Sequence, residues 1–340
     1  MSQAETLESA RTTADREKTT PLRADFGAKY ETTPSSTRTT MSDDVDNEIL
    51  PPLHFSFRWT SILLYFAFLV FFNVVIPVLL YYLLRQVTGI TTKELIGISS
   101  AALGLSSCFD APFRLYRLVR FRRMYGPIGS DVWWHLDFVM WTYTFALLVF
   151  AIPLAIAPAI AFYDFFLMST MMLISSIGLV FFYSLLGFKL FCRCSSDPKG
   201  TPMKPAVFYT IEDMGSVDFK NGRDFRAQLH KRYAASLPFQ RLMIHLTLYW
   251  TLQSVIYAAI TAAVTWGSPL DFAFGWVLGQ LFLWMGVSAF GCWLLVKRGR
   301  AEEKRWWAEK LAGDTRRREK ARETNREGSE SGWERMKEEA

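Results

Sequence analysis

The chain has 340 residues, of which 51% are apolar and 16% aromatic, and its formal net charge is +6. Apolar and aromatic residues concentrate between positions 55 and 296 while both ends are strongly polar, a split that excludes an ordinary soluble fold and points to a membrane protein. The basic residues flank apolar segments and no RNA- or DNA-binding module interleaves them, which sets nucleic acid aside as a partner.

Residues 1–57 are rich in Ser, Thr, Asp and Glu without apolar periodicity, and this composition predicts a disordered tail. No short apolar core lies near Met1, and acids such as Glu5, Glu8 and Asp15 balance the nearby basic residues, so neither a secretory signal nor a mitochondrial presequence is expected. Runs such as TTPSSTRTT are candidates for phosphorylation, with an unregulated solvated tail as the equal alternative.

Six apolar segments follow, at 60–84, 95–109, 136–157, 162–188, 242–266 and 272–296. A helix needs about 20 such residues to cross a bilayer, because its backbone groups find no water there. Five of the segments meet that length. The second has a clean core of 15 residues before Asp110, Arg114 and Arg117, although Gly97, Ser100, Ala101 and Gly104 recur at spacings of three and four that favour close helix packing. The expected fold is all-α, a polytopic transmembrane bundle (58–296) of six spans, or of five if the second segment does not cross.

Charge orients the bundle. With six spans and both termini in the cytosol, 36 of the 38 Lys and Arg residues fall on one side, leaving only Arg85 and Lys93 outside. Five spans would put the N-terminal tail outside and keep both long basic regions inside. Trp59, Trp133, Trp134 and Trp266 fall at the proposed boundaries, where an amphipathic ring suits headgroup depth.

Polar groups within the spans are few. Asn73 lies four residues before Pro77, Gln253 and Gln280 lie in the last two segments, and Pro153 and Pro158 are expected to break the third. These polar residues read either as an intramembrane solute site beside irregular helix or as hydrogen bonds across helices, with Gly275 and Gly279 as a packing face; the second is favoured. No charged residue lies near mid-depth, which argues against proton- or sodium-coupled transport.

Cys108 and Cys292 read as packing residues, and Cys192 and Cys194, just past the fourth segment, as palmitoylation candidates or free thiols. The four histidines are scattered, and neither metal-ligand spacing, a phosphate loop nor a nucleophile elbow is present. Neither a cofactor nor an enzymatic activity is expected.

The cytosolic loop 189–241 is the most distinctive soluble piece. Phe208, Ile211-Glu212-Asp213, Val217-Asp218, Arg232-Tyr233, Ser236 and Phe239, together with the earlier FRLYRLVR, resemble a group of uncharacterised fungal multi-pass membrane proteins. The resemblance covers about the middle two-thirds of the chain and implies a membrane bundle without an assigned activity. Residues 223–235 favour helix, with Phe225, Leu229 and Tyr233 as an apolar stripe that either covers the cytosolic end of the bundle or receives a partner. Glu212, Asp213 and Asp218 are expected to pair with the arginines at 114, 117, 120, 122 and 123, and Asn221-Gly222 reads as a turn rather than part of a calcium loop.

Residues 297–340 form a charged helical tail. It is expected to run along the cytosolic surface with Trp306, Trp307 and Leu311 touching lipid and its basic residues facing anionic headgroups, an exposed charged helix being the alternative. The whole pattern suits a scaffold or adaptor that recruits a cytosolic protein partner, with a solute channel or transporter as the alternative; the two differ in whether polar groups from several spans converge. Span length favours the plasma membrane over endomembranes.

Overall fold

The structure, a computed structural model, describes residues 53, 59–87, 89–130, 132 and 134–338, all within one compact unit. The N-terminal tail and its Ser/Thr runs lie outside these residues, as do the side chains of Trp59, Gly104, Cys108 and Trp133.

The first apolar segment is a rod of two helices, α1 (Trp59–Val70) and α2 (Ile76–Val87), joined by a π-helical turn at Phe71–Val75. Pro77 causes the turn: it has no N–H for the carbonyl of Asn73, and its ring crowds that carbonyl. The Asn73 side chain donates to Leu69 O at 3.0 Å, an internal repair of the same stretch.

Helix α3 (Thr92–Arg120) starts on a capping box between Thr91 and Glu94 and runs for 29 residues, about 43 Å. The second apolar segment is therefore the first half of a helix that continues through three arginines. A single turn, α4 (Arg122–Tyr125), follows.

Helix α5 (Phe138–Ile160) is capped by Asp137 and contains Pro153 and Pro158 without interruption, contrary to the expected break. Each proline removes one backbone hydrogen bond, but apolar surroundings offer no water in exchange for the others. The fourth apolar segment divides instead, into α6 (Tyr163–Leu167) and α7 (Ser169–Leu185), because Phe166 and Leu167 turn into the core beside Phe274. After the loop come α8 (Ala206–Asp213), a π-helical turn at Met214–Asp218, and α9 (Gly222–Ala235). Helix α10 (Leu237–Gly267) starts on the Ser236 cap, and α11 (Leu270–Glu338) runs 69 residues without a break.

The helices pack in the order α2, α3, α5, α7, α10, α11, and α11 returns to α2. At the closing contact Tyr81 stacks on Phe274 at 3.9 Å, its hydroxyl donates to Asp271 at 2.8 Å, and Arg85 pairs with the same carboxylate. The tightest seam joins α7 to α10, where Gly178 faces Ser254 so closely that any Cβ would collide with the hydroxyl. The expected Gly275/Gly279 face is only half used. Gly275 meets Tyr82, whereas nothing approaches Gly279.

Among the described residues, four helical stretches are long and apolar enough to cross a membrane: Phe66–Val87, Phe138–Ile160, Leu237–Gly267 and the apolar start of α11. Helix α7 is apolar but only 17 residues long. Trp134 and Trp266 are both exposed, as ring anchors at a boundary would be.

Candidate functional site

Below the bundle the chain folds a cap around buried charge. Three backbone hydrogen bonds shape the loop after α7: Leu190 N to Thr201 O (2.9 Å), Gly200 N to Leu190 O (2.8 Å) and Met203 N to Phe188 O (3.0 Å). They bring Ser195, held at φ 46°, and Ser196 beneath α8. Phe208 and Tyr209 of α8 pack with Phe225, Leu229 and Tyr233 of α9 against Phe138, Phe239, Leu242 and Met243. The α9 stripe thus covers the end of the bundle formed by Phe138, Phe239, Leu242 and Met243.

Arg226, also on the inner face of α9, is fully buried at the centre of the cap. Its Nη1 donates to Ser195 Oγ (2.9 Å), Glu212 Oε1 (3.0 Å) and Asp213 Oδ1 (2.5 Å), and its Nη2 donates to Tyr125 O (3.2 Å). Asp213 also accepts from Ser195 Oγ and from Val139 N at the start of α5. Glu212 accepts from the Ser196 hydroxyl, and its second oxygen lies 3.2 Å from His230 Nε2. Lys204 extends the network sideways, 2.8 Å from Asp197 and 3.0 Å from His230 Nδ1, while Tyr209 donates to the other Asp197 oxygen at 2.8 Å.

Two further arginines tie distant elements to this cap. Arg114 of α3 donates to Asp137 at 2.6 Å and to Asp218. Arg232 grips Glu303 of α11 with two nitrogens, at 3.1 and 2.7 Å, and Glu303 is fully buried.

The electrostatics are uneven within one cluster. Burial pushes the Asp213 carboxyl up to about 7, helped by Asp137 and Glu212 and opposed by Arg226 and Ser195. Burial would also raise Glu212, but its bonds to His230, Arg226 and Ser196 outweigh that and hold it below the usual carboxylate range. Adjacent acids therefore divide the work: Glu212 carries the charge that balances Arg226, and Asp213 is the one poised to take up a proton near neutrality. Burial, then the carboxylates of Asp213, Glu212 and Asp197, push the Cys194 thiol far up.

The expected pairing of Asp218 with Arg114 is present. Glu212 and Asp213 instead meet Arg226 from their own segment. Arg122 turns inward to Ser130 Oγ and His135 O, while Arg120 and Arg123 are exposed. Arg226 is the central residue that sequence reasoning missed, although its place beside Phe225 and three residues before Leu229 puts a guanidinium on the apolar face of an amphipathic helix. Of the motif pair, Arg232 locks α11 and Tyr233 packs on Phe208 with ring centroids 4.7 Å apart.

The intramembrane candidates do not converge. Asn73 bonds within its own helix, Gln253 accepts from Ser288, and Gln280 donates to Tyr257 O and Thr261 Oγ1 while accepting from Trp276. Cys192 is exposed, whereas Cys194 packs against the cap. Among the described residues no group of three or more His, Cys, Asp or Glu is placed to hold a metal ion. The tail continues the last apolar stretch as one helix, since a sequence rich in Ala, Glu, Lys and Arg gives it no reason to stop. Trp306 and Trp307 are half-buried, and Lys310 lies over both rings.

Residues 38–307 match a family described as a domain of unknown function (DUF8766). The chain belongs to that family. No protein of curated function and no solved structure matches it. The DUF8766 domain takes in the bundle, the cap and the Arg232–Glu303 pair, and it ends four residues beyond that pair, leaving the outer part of α11 outside.

Proposed function

We propose that this DUF8766 protein is a membrane-embedded scaffold or adaptor without enzymatic activity. It is a multi-pass protein of the fungal group its cap segment resembles, crossing six times with both termini in the cytosol, and it resides in the plasma membrane. Helix α3 is long enough for the second crossing, and α7 is within the length range of a short span. The observation that carries the functional reading is the separation of the polar groups: Asn73, Gln253 and Gln280 each bond to different neighbours and define no shared path. The charged side chains are instead gathered in a rigid cap, from which α11 extends to present a long surface to cytosolic proteins.

The reading is tested by reconstituting the full chain in liposomes and by truncating it after Ala308. The expected result is solute leakage no greater than in protein-free vesicles, with the truncated chain still folded and inserted but stripped of the proteins that cross-link to the full chain in cells. Selective solute flux from the full chain would overturn it.

A further inference from the structure

The stretch from Ala111 to Ser130 contains five arginines and no acid. The fold uses two of them internally, Arg114 on Asp137 and Asp218, and Arg122 on Ser130 and the His135 carbonyl. Arg120 and Arg123 are exposed, while Arg117 is half-buried and near enough to Asp218 to favour its charged form.

On α3, Phe113, Tyr116, Arg117 and Arg120 recur at spacings of three and four and share one face, opposite the buried Leu118. That face is strongly apolar as well as basic: Phe113 is 66% exposed, Tyr116 60%, and Met124 in the following turn 57%. A bilayer core takes up about 20 residues of a crossing helix, so one that starts at Thr92 leaves the core near Pro112. The aromatic rings then sit at acyl and glycerol depth, with three guanidinium groups just below them at the level of phosphate.

We infer that this face of α3 and α4 is a binding surface for anionic phospholipid of the cytosolic leaflet. The charge is complementary, since the stretch from Ala111 to Ser130 holds no acid, and Phe113, Tyr116 and Met124 offer exposed apolar surface beside the arginines. A guanidinium offers phosphate a fork of donors, which fits Arg rather than Lys at all three positions. The inference places lipid recognition here rather than on the C-terminal tail, whose basic residues alternate with acids, whereas the stretch from Ala111 to Ser130 has none. It rests on the proposed six-span orientation, in which α3 crosses and the segment after Asp110 is cytosolic.

The test measures lipids retained by the full-length protein under native mass spectrometry, offering phosphatidylserine against phosphatidylcholine. A preference for phosphatidylserine of about tenfold or more is expected. It should fall to parity in R117Q/R120Q/R123Q and to intermediate values in R120Q and R123Q alone, which keeps the test valid if the triple variant fails to fold. The tail variant R316Q/R317Q/R318Q should behave as wild type. Equal retention of both lipids by the wild type, a preference that survives in the arginine variants, or one lost in the tail variant would each overturn the assignment. So would competition by soluble glycerophosphoserine, which would point to free phosphate, or parity toward lipid combined with binding of an acidic peptide. Labelling of Lys199→Cys by an impermeant reagent from outside sealed cells would instead refute the orientation, and so separates that failure from a failure of lipid binding.

Discussion

At the scale of single residues, Arg226 decides whether the cap holds. Its guanidinium sits between two fully buried carboxylates, so its removal strands charge rather than merely deleting a contact. Arg226→Ala is expected to destabilise the cap by about 3–5 kcal/mol, read as lost protection of α8 and α9 in hydrogen exchange. Asp213→Asn added to that variant should recover part of the loss, because one of the two stranded charges is then absent.

Asp213 also sets a pH dependence. Its carboxyl titrates from an ordinary value of 3.8 in the unfolded chain and is pushed up to about 7 in the folded one. Between those values the folded chain holds a proton that the unfolded chain has released, so stability falls as pH rises through the window. Glu212 has the opposite sign: its depressed value adds stability above the ordinary carboxylate range and loses it as pH falls. The melting temperature of the full chain is therefore expected to decline between pH 5 and about 7. Asp213→Asn should flatten that decline; an unchanged slope would locate the proton elsewhere.

At the scale of elements, the helices differ in how plainly the sequence announces them. The apolar runs gave α2, α5 and α10 because a span must satisfy its own backbone, and the Asn73-to-Pro77 spacing already marked the place where α1 and α2 meet in a π turn. The full extent of α3 was not legible. Hydropathy treats Arg114 as an ending, whereas in the fold it is buried against partners 23 and 104 residues away. The pairing of Arg232 with Glu303, 71 residues apart, was hidden for the same reason: complementary charges are common, and only the fold chooses among them.

That last pair is open to a direct exchange. Arg232→Glu should loosen α11 from the cap, and Arg232→Glu with Glu303→Arg should restore at least half of the lost stability, measured by chemical denaturation. At the α7–α10 seam, Gly178→Ala is expected to cost about 1–3 kcal/mol through collision with Ser254, and Ser254→Gly in the same chain should relieve it. A Gly178→Ala chain as stable as wild type would mean that the two helices separate without cost.

At the scale of the whole molecule, the asymmetry of basic residues and the geometry agree on a division of labour. The half of the ring near Arg85 and Asp271 closes with one partly exposed ion pair, while the opposite half carries the buried network. A cysteine placed in the N-terminal tail and labelled only after permeabilisation would support six crossings; labelling from outside would leave five and assign α3 to the interface. The cap is expected to keep its melting temperature when the chain is cut after Ala308, since the Arg232–Glu303 lock stays intact.

The distance along the chain between Arg114 and Asp218 also constrains biosynthesis. The two halves of the cap are separated by α5 and α7, and 104 residues must be added after Arg114 before its second carboxylate exists. At about 5–20 residues per second this is an interval of roughly 5–20 s, during which Arg114 has Asp137 as a partner but not yet Asp218. Closure by Arg226 comes later still, because the buried network with Glu212 and Asp213 exists only once α9 has been made.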